Sequence, residues 1–191
     1  EKFIRIERIH LEEDAGKLLH DSYDKYSLAD YNRCGVPLIE IVTKPDLSSS
    51  EEAKEFVEKV RLMLLYSGVS DCRMEEGSLR ADVNVSIRPF GTDKLGTRTE
   101  MKNINSIRAI VRAIDAEIQR QSELLDEGKE IIQETRRWDD NKGESKPMRS
   151  KEDAHDYRYF PEPDIVPITF TKEEVEAIRN SLPELPDKRF A

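Results

Sequence analysis

Thiol chemistry is nearly absent from this chain. Its two cysteines, Cys34 and Cys72, lie far apart with no CxxC or Cys/His spacing. That excludes a zinc motif and predicts two reduced thiols. Histidine is also scarce, at three residues, and His10 and His20 have no partner at a ligand or triad spacing, so they are assigned no role. No G-x-x-x-x-G-K-[ST], G-x-G-x-x-G or G-x-S-x-G run occurs. Any nucleotide site is therefore not of the P-loop or dinucleotide type, and no nucleophile elbow is present. No apolar run reaches the length of a membrane span and no signal pattern opens the chain, so a cytoplasmic location away from membranes is expected. A basic excess is lacking as well: 31 Lys and Arg face 40 Asp and Glu, a net charge of −9. Affinity for phosphate backbones comes largely from Lys and Arg releasing counterions. Any nucleic-acid contact should then be local, or made by parts outside this chain.

What is present is a chain of 191 residues, enough to bury a real core in one domain with an appendage. It starts at Glu1 rather than Met and reads as a piece of a longer protein. Phe3 to Leu11 predicts a strand, and a polar loop is expected from about Lys17 to Tyr31. Pro37 to Thr43 predicts a short apolar strand with Glu40 in its middle. Ser49 or Ser50 should cap a helix with Ala53, Phe56, Val57, Val60 and Leu64 on one face and Gly68 as its stop. From Leu79 to Ile87 the chain alternates strictly, which predicts a strand. Thr97 to Lys102 should return as its partner after a long hairpin loop. Asn105 or Ser106 should cap a second helix, with Ile107, Ile110, Val111, Ile114, Ile118 and Leu125 on its apolar face and Gly128 at its end. Strands are expected at Glu130 to Trp138 and Ser145 to Ser150, and a last helix from Lys172 to Ser181. The order predicts an α+β fold with a mainly antiparallel sheet and helices. Residues 1–181 form the domain, and the proline-rich 182–191 an exit linker.

The polar side of the alternating strand holds Arg80, Asp82 and Asn84, just after a turn with Glu75 and Glu76. On the return strand Arg98, Glu100 and Lys102 share one face. Two such strands side by side make either a platform for a phosphorylated substrate or a set of cross-strand salt bridges, and the residues alone do not choose between them. Arg80, Asp82, Glu100 and Lys102 are the catalytic candidates. Asn84, Asn103, Arg149 and Arg158 are the candidates for holding a nucleotide. Glu40 either alternates out of the core or is buried and paired. With Glu13 and Glu76 it forms the candidate oxygen-ligand set for a hard cation, Mg2+ rather than Zn2+. His155-Asp-Tyr-Arg-Tyr-Phe-Pro161 reads as a site-lining loop, with Tyr159 and Phe160 as its anchors.

Several segments occur together in one order. They are Leu11-Glu-Glu-Asp-Ala-Gly-Lys17, Asp30-Tyr-Asn-Arg33, Gly35-Val-Pro-Leu-Ile-Glu-Ile-Val42, Met74-Glu-Glu-Gly-Ser-Leu-Arg80 and Glu100-Met-Lys-Asn-Ile-Asn-Ser106. Gln133-Glu-Thr-Arg-Arg-Trp-Asp139 and His155 to Pro161 complete the series. Together they resemble the GatB family of bacterial aspartyl/glutamyl-tRNA amidotransferases over essentially the whole chain. The resemblance implies a cradle-shaped catalytic domain of the glutamine synthetase and guanidino kinase type. It implies an ATP- and Mg2+-dependent carbon–nitrogen ligase that phosphorylates the side-chain carboxylate of Glu or Asp misacylated onto tRNA. Ammonia from glutamine then displaces the phosphate. It implies an amidase (A) subunit and a small C subunit as partners in a heterotrimer, misacylated tRNA as substrate, and metal ligation by Glu13 and Glu40. In the family, an N-terminal strand adds a Glu and a His to the metal, a cysteine cluster binds zinc, and helical and tail domains bind tRNA. None of these segments is in this sequence, so the isolated chain is expected to fold, to bind Mg2+-ATP weakly and to amidate nothing. A non-catalytic acidic scaffold that docks a partner protein is the competing reading.

Overall fold

A long antiparallel hairpin opens the chain, folded as one ladder inside another. The computed structural model describes residues 2–20, 26–150, 163–164 and 166–189, with backbone only at Arg149, Ser150, Asp187 and Arg189. The chain divides into two compact units, Glu1–Ser48 and Ser49–Ala191.

In the first unit β1 (Ile6–Glu13) pairs antiparallel with β4 (Pro37–Thr43), and β2 (Lys17–His20) with β3 (Ser27–Asp30). The inner hairpin corrects the expectation of a polar loop from Lys17 to Tyr31. Leu18 opposite Ala29 and Leu19 opposite Leu28 give it the apolar cross-strand pairs that favour strand pairing. The open end of the hairpin is clamped by Arg5. Its Nε and Nη2 donate to the two oxygens of Asp46 at 2.9 and 2.6 Å, and its backbone N–H adds a third bond at 3.0 Å. The Arg5 hydrogen bonds hold the Asp46 carboxyl down at about 2.

The second unit begins with α1 (Ser50–Tyr66), capped by Ser49 Oγ, which accepts from the Glu52 N–H at 3.1 Å. Helix α2 (Ile107–Asp126) is capped in the same way by Ser106 on Ala109 N–H at 3.0 Å. Both helices sit where the cap residues and apolar periodicity place them, and α1 packs on α2. A four-stranded sheet has the order β5 (Val83–Val85), β6 (Thr99–Lys102), β7 (Glu134–Asp139), β8 (Glu144–Ser150). Its outer pairs are antiparallel, but β6 and β7 run parallel, with α2 as the crossover. The fold is α+β, as expected, with a parallel pair at the centre of its largest sheet. Helix α3 (Lys172–Ser181) carries a full capping box at Thr171 and Glu174. Within the expected linker, Pro186–Arg189 forms a short helix, α4.

The strand expected from Leu79 to Ile87 is cut to Val83–Val85 for two local reasons. Asn103 takes a left-handed backbone (φ 67), which ends β6 before residues 79–81 could pair. At the other end the Ile87 N–H donates to Gln121 Oε1 at 3.2 Å instead of to a strand.

Gln121 belongs to a buried polar network that apolar periodicity does not reveal. Glu117, with a fully buried side chain, accepts from Thr99 Oγ1 (2.5 Å), Gln121 Nε2 (2.8 Å) and Arg120 (2.7 and 2.9 Å). Arg136 of β7, with a side chain 10% exposed, lies 3.8 Å from the same carboxylate and also pairs with Glu134. Burial pushes the Glu117 carboxyl up, but hydrogen bonds from Arg120, Thr99 and Gln121 outweigh it, and the pKa falls below its usual 4.5. The network ties α2 to β5, β6 and β7, and so fixes which strand residues face away from the helix.

Candidate functional site

Because Thr99, Met101 and Arg136 face α2, their neighbours face the other way. The register assembles those neighbours into two rows. Asn84 lies opposite Glu100, Glu100 opposite Thr135, and Thr135 opposite Arg149. The next row runs from Lys102 to Arg137 to Lys146, with Asp82 joined to its near end. Lys102 Nζ reaches Asp82 Oδ2 at 2.7 Å and Glu100 Oε1 at 3.6 Å. Glu100 Oε2 accepts from Thr135 Oγ1 at 2.8 Å.

Desolvation alone would lower the Lys102 pKa. The hydrogen bond and charge of Asp82, with the charge of Glu100, overcome it and raise the pKa. The same contacts favour the protonated, cationic form of Lys102. Of the expected catalytic group, Asp82, Glu100 and Lys102 come together, and Asn84 joins them in register. Arg80 is exposed and precedes the strand. Two residues that sequence reasoning missed belong to the same face. Thr135 orients Glu100, and Arg137 stands beside Lys102 with no hydrogen bond or ion pair among the described residues. The alternation Thr135, Arg137 against Arg136, Trp138 carried that signal.

Other expectations meet different outcomes. The Asn103 amide, expected to face the nucleotide, donates to the Trp138 carbonyl at 3.0 Å and ties the end of β6 to β7. Arg149 is placed by its backbone, opposite Thr135. Arg158 and the segment His155 to Pro161 lie outside the described residues.

The expected carboxylate pair for a shared cation is corrected. Glu13 lies opposite Pro37, and Glu40 opposite His10. Cross-strand partners share a face and successive residues alternate, so Glu13 and Glu40 point to opposite faces of the ladder. Glu12, not Glu13, shares the face of Glu40. Two carboxylates on strands do not reveal register, and one residue reverses a face. Glu76 pairs with Arg73 at 2.8 Å in the turn before β5. Among the described residues no three His, Cys, Asp or Glu side chains are grouped to hold a metal. Cys34 is an exposed free thiol and Cys72 a buried one, as expected.

A family described as the GatB/GatE catalytic domain matches residues 1–176. The chain belongs to this family. Among similar proteins, the B subunit of the aspartyl/glutamyl-tRNA(Asn/Gln) amidotransferase of Ruminiclostridium cellulolyticum is 88% identical over 190 residues, covering 100% of this chain and 39% of that protein. Its counterpart in Caldicellulosiruptor saccharolyticus is 62% identical over 188 residues, 98% of this chain and 39% of its own length. That of Lachnoclostridium phytofermentans is 61% identical over 189 residues, 99% and 40%. The chain thus spans about two fifths of the length of these curated relatives. Among the described residues no helix is long and apolar enough to cross a membrane.

Proposed function

We propose that this chain supplies phosphoryl-transfer residues of a tRNA-dependent amidotransferase, in a domain of the glutamine synthetase and guanidino kinase type. In this reading the γ-phosphoryl group of ATP passes to the side-chain carboxylate of a Glu or Asp esterified to tRNA, giving an acyl phosphate and ADP. Ammonia attacks the acyl carbon and phosphate leaves. Phosphoryl transfer asks a protein mainly for positioning and for cations around the moving group. The observation that carries the reading is the row of Lys102 and Arg137 on one face, with Asp82 and Glu100 holding Lys102 protonated. Lys102, Arg137 and Arg80 are assigned to the phosphoryl oxygens, and Asn84, Arg149 and Arg158 to the nucleotide. Mg2+ would be held by one or two protein carboxylates together with substrate phosphates and water, and Glu40 and its face-mate Glu12 are the proposed carboxylates.

The reading places the chain in the cytoplasm, in a heterotrimer with an amidase subunit and a small C subunit. The net charge of −9 leaves most of the grip on tRNA to other parts of the assembly. The Lys102–Asp82 ion pair also fits the competing scaffold reading, in which the face is a salt-bridged surface. Amidation of misacylated tRNA by the full-length assembly, with ATP and glutamine, separates the two. Lys102→Met and Glu40→Gln each abolish it in the catalytic reading, with the assembly intact. Unchanged amidation in both variants supports the scaffold.

A further inference from the structure

The long hairpin of the first unit is interrupted between its outer and inner ladders, and the interruption is a cleft. On the outer side the ladder continues past Glu13 through Asp14 N–H to the Val36 carbonyl (2.9 Å) and Gly35 N–H to the Asp14 carbonyl (3.0 Å). Pairing resumes at Lys17 opposite Asp30. Only Ala15 and Gly16 bridge that gap on one strand, against Tyr31 to Cys34 on the other, so the longer side bows out. Its shape is fixed by the turn from Tyr31 O to Cys34 N–H (3.0 Å) and by Gly35 at φ 78. Gly16 permits a close approach, since a Cβ there would lie 3.2 Å from the Tyr31 ring and 3.3 Å from the Asp30 carbonyl and its neighbours would have to give by a few tenths of an ångström. The resulting cleft of about 280 Å³ is lined by Ala15, Lys17, Asp30 and Arg33. Pockets for drug-sized ligands start at about 300 Å³, so this one suits something smaller.

Its charges are set out but not mutually satisfied. Lys17 and Asp30 are directly opposite on the ladder, where opposite charges ordinarily pair. Yet no ion pair joins them, and among the described residues Lys17 Nζ has no partner. Asp30, which lines the cleft, uses one oxygen, Oδ1, for both the Asn32 backbone N–H (2.9 Å) and side-chain amide (2.6 Å), and its Oδ2 has no hydrogen bond among the described residues. Arg33 is half exposed and lies 3.8 Å from Asp14 through Nε, with no hydrogen bond from its guanidinium among the described residues. A simple anion here would meet the Asp30 carboxylate, and a simple cation would meet Lys17 and Arg33. A ligand with an ammonium at one end and a carboxylate at the other satisfies all three.

We propose that this cleft seats the acidic aminoacyl group of the substrate, with its side-chain carboxylate on Lys17 and Arg33 and its α-ammonium on Asp30 Oδ2. The identity of the ligand rests on the amidotransferase reading; the charge pattern that selects it does not. Amidation would remove the charge that Lys17 and Arg33 hold, and so weaken the hold on the product.

The test is a 1H–15N titration of the whole chain with L-glutamate α-methyl ester, which mimics an esterified glutamyl group. Saturable shifts confined to the amides around 14–17 and 30–35 are expected. Charged hydrogen bonds are worth enough that L-glutamine methyl ester, without the carboxylate, and glutaric acid monomethyl ester, without the ammonium, should each bind about tenfold or more weaker. Lys17→Met and Asp30→Asn should each remove the response while leaving the rest of the spectrum unchanged. No saturable response, equal binding of all three esters, an equal response to inorganic phosphate, or wild-type binding by both variants would each overturn the proposal. The titration uses no ATP, tRNA or partner protein. A failure of tRNA amidation therefore counts against the catalytic reading and not against the cleft, and a failure of this titration counts only against the cleft.

Discussion

Lys102 Nζ lies 2.7 Å from Asp82 Oδ2 across the end of the β5–β6 pair, with the two side chains 37% and 48% exposed. An ion pair this accessible is worth about 0–1 kcal/mol to the fold. Its larger effect is on protonation, since Asp82 is the main reason the Lys102 pKa stands above its usual 10.5 despite desolvation. Asp82→Asn should therefore leave the melting temperature within about 2–4 °C of wild type and lower the Lys102 pKa. NMR titration of the labelled lysine side chain reads the pKa directly. A large loss of stability with no change in pKa would mean that the pair is structural.

Among the described residues Arg137 is the unpaired member of the same row. If it holds phosphoryl oxygens, Arg137→Gln in the full-length assembly should reduce ATP-dependent turnover by about tenfold or more, the effect of losing one charged contact. Stability should be almost unchanged, because the side chain is exposed and has no partner among the described residues. Steady-state kinetics with ATP varied is the measurement, and unchanged turnover would remove Arg137 from the site.

Glu117 is where the fold, rather than the chemistry, is exposed to a single substitution. Glu117→Ala leaves the buried donors Thr99 Oγ1 and Gln121 Nε2 without their carboxylate acceptor, a loss that typically costs about 1–3 kcal/mol, readable by chemical denaturation. The pH dependence has a fixed sign. The folded pKa lies below the unfolded value near 4.5, so the stabilisation is fully present above that pH. It is lost as pH falls through the lowered folded pKa. Wild type should lose stability with acid in this window more steeply than Glu117→Gln, which has no carboxyl to titrate.

Gly96 tests the hairpin loop between β5 and β6. A Cβ at this position would run into the Ile87 carbonyl oxygen, a backbone atom that cannot turn aside. Gly96→Ala should therefore shift the loop and cost about 1–3 kcal/mol, the usual penalty for overpacking. Gly91, where no atom lies within 4 Å but φ is +82, is the control, as only backbone strain should be felt there. Equal stability of Gly96→Ala and wild type would show that the approach is relieved cheaply.

Helices α1 and α2 are legible in the sequence to within one residue at their caps, because the pairs Ser49/Ser50 and Asn105/Ser106 precede apolar periodicity that a helix satisfies, and the structure selects Ser49 and Ser106. The alternation around Val83 and Met101 gives the correct faces, since burial alternates along both strands. Three things are not legible. Register is absent from a single strand pattern, so the sequence does not distinguish Glu12 from Glu13 as the face-mate of Glu40. Buried charge looks like surface charge, so Glu117 and Arg136 pass for solvated residues until α2 is set against β7. Strand ends are set by tertiary partners, here Gln121 capturing Ile87 and Asn103 turning left-handed, and neither is a local propensity.

The central claim is that this chain supports formation of an acyl phosphate on misacylated tRNA. The most direct measurement traps that species with hydroxylamine, using the full-length assembly, Glu-tRNA and ATP in the absence of glutamine. The account predicts hydroxamate that requires both ATP and the misacylated tRNA, and that falls by about a hundredfold in Lys102→Met, the scale expected when a cation is removed from a developing charge. Hydroxamate formed at the wild-type rate by an intact Lys102→Met assembly would contradict it.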